Sequence, residues 1–400
     1  MIVGGGFTGL SAGLELRRVG IDVMIIEGAE PGWGASGRNS GLVIPTLTRP
    51  DPDDIVAKYG SSGERFVTLL RDSASHLFQT ADGLGLAGQT EQNGWLQPAH
   101  TAGRMAIAER RYKQWAKWGA PVDLLDRDQV RNALGSAAWH GAFFNRSGGT
   151  VNPLALVRAM ATAVTANGAR IYVRTPALHY HRSAGNWIVT TPAGAIKARA
   201  LLLATNAYTG ELSPDLAPSI AKEIVPVVSW LTATAPLDEE TRRTVIPSRT
   251  AMSDTRGDLY FARYDVRHRL ITGGSLVSPF NRAERLKSLI AERLVRLWPQ
   301  LKSVEIEFVW NGLIGITPDR FPRFHQLGPD AYAWAGCNGR AVALSVAVGR
   351  ELARAIAGVP LTELAIPFSE PSPLHAHGLV RRLAPLALIG YRRRDAKELA

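Results

Sequence analysis

Cysteine is almost missing: Cys337 is the only one in 400 residues. No internal disulfide can form, and a reducing, cytoplasmic setting is the expectation. No stretch reaches the roughly 18 consecutive apolar residues of a membrane span. A secretory leader is not expected either, because a glycine-rich turn already occupies residues 4–9. Zinc-ligand spacings and RNA-binding signatures are absent. Acidic residues are in deficit, with 35 Asp plus Glu against 46 Lys plus Arg. The basic excess is spread out, and its clearest runs are Arg381-Arg382 and Arg392-Arg393-Arg394. It reads as a solvated tail face rather than a nucleic-acid site. Little precedes the first glycine: Met1-Ile2-Val3 gives about 10 Å of strand at ~3.3 Å per residue. The neighbouring strands are read as residues 21–26 and 201–204, so a segment upstream of Met1 is expected to complete the pairing.

What is present begins with Gly4-Gly5-Gly6-Phe7-Thr8-Gly9, followed by Gly13, Gly20, the apolar run 21–26 and Glu27. This is strand, glycine turn, helix, strand, acid. Gly4 allows the tight turn, Gly6 lets the backbone approach a pyrophosphate, and Gly9 and Gly13 let the helix pack close to the sheet. Phe7 and Thr8 open the helix, whose N-terminal N–H groups and dipole favour phosphate. Glu27 follows Gly9 by eighteen residues, near the spacing of about 20 for an acid that binds a ribose. A second glycine-rich segment, residues 32–41, is neither helix nor strand in character. It reads as a loop laid against a cofactor, with Ser36, Gly37, Arg38, Asn39 and Ser40 in contact.

Further along, residues 51–80 and 101–118 have helical apolar spacing, and 93–98 reads as a short strand or turn. Asn152 caps a helix opened by Pro153 and running to about residue 165. Strand 169–174 follows, then a hairpin of 187–191 with 195–198. Residues 201–204 form an apolar run typical of a buried parallel strand. Ala204, Thr205 and Asn206 then lie at its carboxyl edge, where ligands bind in open α/β sheets. Between 225 and 310 the pattern alternates, giving strands 225–234, 258–263, 270–273 and 305–310, with an amphipathic helix over 282–297. Strand 332–336, a turn at Cys337-Asn338-Gly339-Arg340 and a helix over 341–357 return to the opening pattern. The fold class is α/β: a discontinuous Rossmann-type cofactor domain (1–60, 145–215 and 320–400) plus a mixed-sheet α+β substrate domain with helical segments (61–144 and 216–319).

These segments resemble the D-amino-acid oxidase family of FAD-dependent oxidoreductases. Within it, the likeness is to the group of glycine oxidase, sarcosine oxidase and gamma-glutamylputrescine oxidase. The combination of Gly34-Ala-Ser-Gly-Arg-Asn-Ser-Gly41 with Gly336-Cys-Asn-Gly-Arg-Ala-Val-Ala-Leu344 is its most specific carrier. The resemblance implies an extended FAD with its pyrophosphate at Gly4–Gly9 and a ribose on Glu27. Ser36–Asn39 would lie near the pyrophosphate and flavin, and residues 173–177 near adenine. Gly336, Asn338, Gly339, Arg340, Ala341 and Val342 would lie beside the pyrimidine ring. Ala341 stands where relatives often carry Gly, and Gly312 where some carry a flavin-linking Cys. With no His in the 32–41 loop, FAD is expected to be noncovalent.

The implied reaction is oxidation of a C–N bond in an amine or amino acid, with hydride passing to flavin N5 and the imine hydrolysing. Dioxygen or a quinone would reoxidise the flavin. Tyr260, Arg263 and Trp310 are the substrate-side candidates, and Arg263 is a potential carboxylate clamp. A pocket wall and a core position are both open to Trp310. Tyr260 and Arg263 are three apart on a strand and need not share a face. His325 reads as structural, and no catalytic base stands out. Two other readings remain: a nicotinamide-dependent dehydrogenase, or a flavin-binding protein without catalysis.

Overall fold

Strands that are apolar at every position need cover on both faces, and the run Leu201–Leu203 is buried throughout. In the computed structural model, which describes residues 1–277 and 280–399, it lies inside a six-stranded sheet. The order is Arg323–Gly328, Ala331–Ala335, Leu201–Leu203, Ile2–Val3, Met24–Ile26, Arg170–Tyr172. All neighbours are parallel except the first, antiparallel pair. Successive side chains enter opposite cores. Ile2, Ile25, Leu202, Tyr332 and Trp334 pack with the helices Phe7–Arg18, Pro52–Gly83, Pro153–Ala166 and Val342–Ile356. Val3, Ile26, Leu201, Leu203 and Ala333 pack with Trp187 and Val189 of a three-stranded hairpin sheet, His179–Ser183, Asn186–Thr191 and Gly194–Ala198.

The strands beside Ile2–Val3 are three residues each, shorter than the 21–26 and 201–204 segments expected from the sequence. Ile2 pairs with Ile25 and Leu202, and Val3 with Ile26 and Leu203. Leu202 N donates to Met1 O at 2.9 Å and the Met1 amino group to Ala200 O at 2.9 Å.

The second large sheet has eight strands, in the order Ile306–Ile316, Val225–Thr234, Leu270–Gly274, Phe261–Tyr264, Ala251–Ser253, Trp95–Pro98, Ala142–Asn145, Val122–Leu125. It is mixed, because Ala251–Ser253 and Trp95–Pro98 run parallel. The helix Arg282–Leu297, expected with these bounds, buries Leu286, Ile290, Leu294 and Leu297 against Ala262, Tyr264 and Leu270 on one face. Each such side chain contributes about 1.5–3 kcal/mol on burial. The opposite face is turned towards the first sheet and the glycine loops.

Three differences from the sequence reading have physical causes. The strand read as 258–263 starts at Phe261, because Asp254 Oδ1 accepts from Tyr260 N at 3.1 Å and holds 254–260 in a turn. The strand read as 305–310 runs on to Ile316 through Gly312 and Gly315, since Val225–Ser229 supplies backbone partners along that length. The basic tail is not simply solvated. It forms the helices His377–Leu383 and Ala387–Leu399, docked by Arg381 on Glu211 and by Arg392 on Asp258. Among the described residues no helix is long and apolar enough to cross a membrane.

Candidate functional site

The first glycine turn sits at the carboxyl edge of the six-stranded sheet, between the Ile2–Val3 and Met24–Ile26 strands. Gly9 is there for close approach: a Cβ on it would lie 2.0 Å from Gly4 O. The helix Phe7–Arg18 that follows has neither a side-chain cap nor an acid in its first turn. Its positive end is therefore left for an external anion, the arrangement that holds a pyrophosphate. Glu27 is fixed where Met24–Ile26 ends, with Oε2 accepting from Gly5 N at 2.7 Å and Oε1 from Ala29 N at 2.9 Å. A carboxylate oriented by two backbone donors still has lone pairs for ribose hydroxyls.

The second loop is tied to the first, since Phe7 N donates to Ser36 Oγ at 3.0 Å. Residues Ala35–Arg38 make one helical turn. Asn39 closes it, donating to Ala35 O and Ser36 O and accepting from Gly41 N. Gly41 is left-handed (φ +74°), and a Cβ there would lie 2.1 Å from Val151 O. Arg38 donates to Trp33 O at 2.6 Å and to Asn311 O at 3.2 Å, and its guanidinium stacks over Trp33. The loop thus bridges to the second sheet. Trp310 braces the same bridge, its Nε1 donating to Arg38 O at 2.8 Å.

A third segment closes the site. Asn206 (φ +41°) accepts from Gly336 N at 2.9 Å, joining the edge after Leu201–Leu203 to the C-terminal turn. Thr205 and Thr209 share a hydroxyl contact of 2.7 Å. Asn338, also left-handed, accepts from Thr317 N at 2.9 Å, while its carbonyl accepts from Thr48 Oγ1 at 2.7 Å. Ala341 packs into the core, so its methyl has a place there, and Val342 opens a helix with no side-chain cap and no acid in its first turn. Two helix N-termini with no acid in their first turn, from Phe7 and Val342, therefore lie along one edge of one sheet. Together with Glu27 and the 32–41 loop, this donor set fits a dinucleotide.

Two buried cations border the site. Arg340 stacks over Trp95 and donates to Leu47 O at 3.2 Å. Burial, with Arg111 beside it, holds it well below the usual arginine range. Arg263 lies on the strand face turned to the second loop. It donates to Ser40 O and to Tyr264 O, and burial pushes it down to about 10. Through Nε and Nη1 it braces the Ser40–Gly41 loop on backbone carbonyls. Tyr260 lies in the turn before the strand. It packs between the guanidiniums of Arg256 and Arg293 on the side of the Arg282–Leu297 helix, away from Arg263. The lone thiol, Cys337, contacts Gly315 O at 3.8 Å.

His325 is fully buried. Its Nε2 lies 2.6 Å from Glu223 Oε2 and its Nδ1 2.7 Å from Ser369 O. This agrees with a structural role, since the pair pins the tail segment to the sheet edge. Sequence reasoning missed Arg49, Arg320 and Tyr391, which converge although Arg49 and Tyr391 are 342 residues apart. No local pattern carries such a meeting.

Comparison with known proteins bears on this geometry. The family model described as "DAO: FAD dependent oxidoreductase" matches residues 1–355. Gamma-glutamylputrescine oxidoreductase of Escherichia coli (strain K12) is 29% identical over 358 residues, covering 89% of this chain and 83% of the relative. Glycine oxidase of Geobacillus kaustophilus (strain HTA426) is 23% identical over 326 residues, covering 80% and 82%. A crystal structure of glycine oxidase from Geobacillus kaustophilus superposes with a TM-score of 0.77 at 21% identity, covering 94% of this chain and 98% of that one. That likeness is one of fold.

Proposed function

The chain belongs to the DAO family of FAD-dependent oxidoreductases, and on that premise we propose that it oxidises the C–N bond of an amine or amino acid. The observation that carries this reading is the likeness over most of the chain to relatives named for gamma-glutamylputrescine and glycine. Bound FAD supplies the acceptor for a hydride from the substrate carbon bearing nitrogen, and water hydrolyses the imine product.

The chain's own residues bind and orient. In this reading the helix end at Phe7 faces the pyrophosphate and Glu27 takes a ribose. Residues 173–177 border adenine. The helix opening at Val342 turns its positive end to the pyrimidine side of the flavin, which favours the reduced, more negative form. Arg38, Asn39, Arg263 and Trp310 hold the 32–41 loop in register with the second sheet, which walls the substrate side. Ile314 meets the Gly339 turn, with 3.6 Å from its Cδ1 to a Cβ built on Gly339. FAD is noncovalent in this account, because Gly312 and the 32–41 loop offer no thiol or imidazole for linkage. A nicotinamide reading leaves the loops at 32–41 and 336–342 with nothing to hold.

Incubating the FAD-loaded protein with a panel of amines and amino acids, with dioxygen or a quinone as acceptor, tests the proposal. Release of ammonia or a smaller amine with a carbonyl product is expected from at least one. No such product from any amine, with the flavin bound, would overturn it.

A further inference from the structure

The C-terminal segment is helical almost throughout: His377–Leu383, the short turn Ala384–Leu386 and Ala387–Leu399 follow one another directly. One side of it is bonded to the rest of the chain. His377 Nε2 lies 2.8 Å from Ile224 O, Arg381 pairs with Glu211, and Arg392 pairs with Asp258. Buried Asp395 accepts from Gly257 N and Asp258 N. The other side faces solvent. Leu379 is 58% exposed, Leu383 50% and Leu386 51%, with Val380 and Ile389 also exposed. Leu379, Leu383 and Leu386 recur at intervals of four and three, the spacing of one helix face. Single exposed leucines need no account, but a stripe of them marks a surface that something covers.

Positive charge frames the stripe. Within residues 377–399, Arg381, Arg382, Arg392, Arg393, Arg394 and Lys397 stand against Asp395 and Glu398 alone. Both acids are engaged, Asp395 by the two backbone N–H groups and Glu398 by Arg104. Arg382, Arg393 and Lys397 are exposed and join no ion pair among the described residues. The two features together select the occupant. Nucleic acid would neutralise the arginines but leave the leucines in water. A second copy would cover the leucines but bring two sets of unpaired arginines together. An anionic lipid surface answers both, because apolar side chains enter the acyl boundary while the cations stay among the headgroup phosphates. Arginine stems are long enough to lie along the apolar layer and keep their charge at its rim.

We propose that the outward face of residues 377–399 docks the protein on the surface of a membrane that carries anionic phospholipid. Leu379, Leu383 and Leu386 insert, and Arg382, Arg393 and Lys397 contact the headgroups. The segment lies in the plane of the surface rather than across it. It belongs to the part of the chain beyond residue 355, where the family match ends. The surface does not depend on the amine-oxidation reading.

Co-flotation of the FAD-loaded protein with vesicles is the test, using phosphatidylcholine mixed with phosphatidylglycerol and phosphatidylcholine alone. The protein floats with the anionic vesicles and stays behind with the neutral ones, and added salt weakens the binding. Arg382→Ser combined with Arg393→Ser lowers the partition coefficient by about thirtyfold, the effect of two basic residues near an anionic surface. Leu383→Ser combined with Leu386→Ser lowers it by about tenfold or more at unchanged charge, through lost apolar burial. Flavin content and melting temperature identify a pair that fails to fold, and the other pair then decides. No flotation with anionic vesicles, equal flotation with neutral ones, or parent-like flotation of either folded pair overturns the proposal. Where flotation fails, a dimer in sedimentation velocity that the leucine pair dissolves assigns the stripe to a second copy of the chain instead.

Discussion

Glu27 and His100 show how single side chains report on this molecule. Glu27 is oriented by the N–H groups of Gly5 and Ala29 at the end of its strand. Glu27→Ala removes the ribose acceptor that the cofactor reading requires, at a cost of about 1.5–3 kcal/mol for a hydrogen bond to a charged group. FAD affinity measured by fluorescence quenching should fall accordingly, and an unchanged affinity in a folded variant would remove Glu27 from the site. His100 is buried, with Nδ1 2.8 Å from Thr255 Oγ1 and Nε2 3.2 Å from Glu398. Burial first, and then Arg256, push its pKa down to about 4. The folded pKa is below the unfolded value of about 6.5, so the unfolded chain binds the extra proton between those values. Stability therefore falls as pH drops from about 6.5 to 4. Melting temperatures across that range should fall more steeply for the parent protein than for His100→Asn, and parallel slopes would contradict the assignment.

At the scale of elements, periodicity made the main helices legible. Residues 282–297 alternate apolar and charged with a helical period and form a helix with those bounds. Asn152 caps the Pro153–Ala166 helix by accepting from Ala155 N at 3.2 Å, and its type and position announced it. The short strands Val122–Leu125, Ala142–Asn145 and Gly149–Val151 carry too few residues to display a period, and partners distant in sequence define them. The C-terminal helices were hidden for another reason: their arginines look solvated until Glu211 and Asp258 are placed beside them. The glycine turns were readable because close backbone approach restricts residue type, whereas the Arg49–Arg320–Tyr391 meeting leaves no trace in local sequence. The tail's attachment yields a prediction. Glu223 bonds His325 at 2.6 Å and accepts from Ser372 N at 2.9 Å, both in buried or part-buried settings. Glu223→Ala removes both acceptors from a buried pair and should cost about 3–5 kcal/mol, read by chemical denaturation. A loss below about 1 kcal/mol, the scale of exposed pairs, would show that the tail is held elsewhere.

For the whole molecule, one sheet offers helix N-termini and an acid at its carboxyl edge, and a second sheet closes over it through the 32–41 loop. The cofactor edge belongs to a shared family plan, while the C-terminal helix with Tyr391 lies past the matched 355 residues. Noncovalent FAD is the expectation, with Gly312 and a second loop that carries no Cys or His. Acid precipitation should leave the yellow colour in the supernatant, and colour retained in the pellet would contradict it. The central claim is that an amine reduces the bound flavin by giving up hydrogen from the carbon next to nitrogen. Anaerobic stopped-flow mixing with an amine or amino acid, in protiated form and deuterated at that carbon, addresses it most directly. The account predicts bleaching of the flavin absorbance, slower with the deuterated amine. A flavin that stays oxidised with every amine offered, or one bleached at equal rates by the two isotopic forms when reduction itself is rate-limiting, would contradict it.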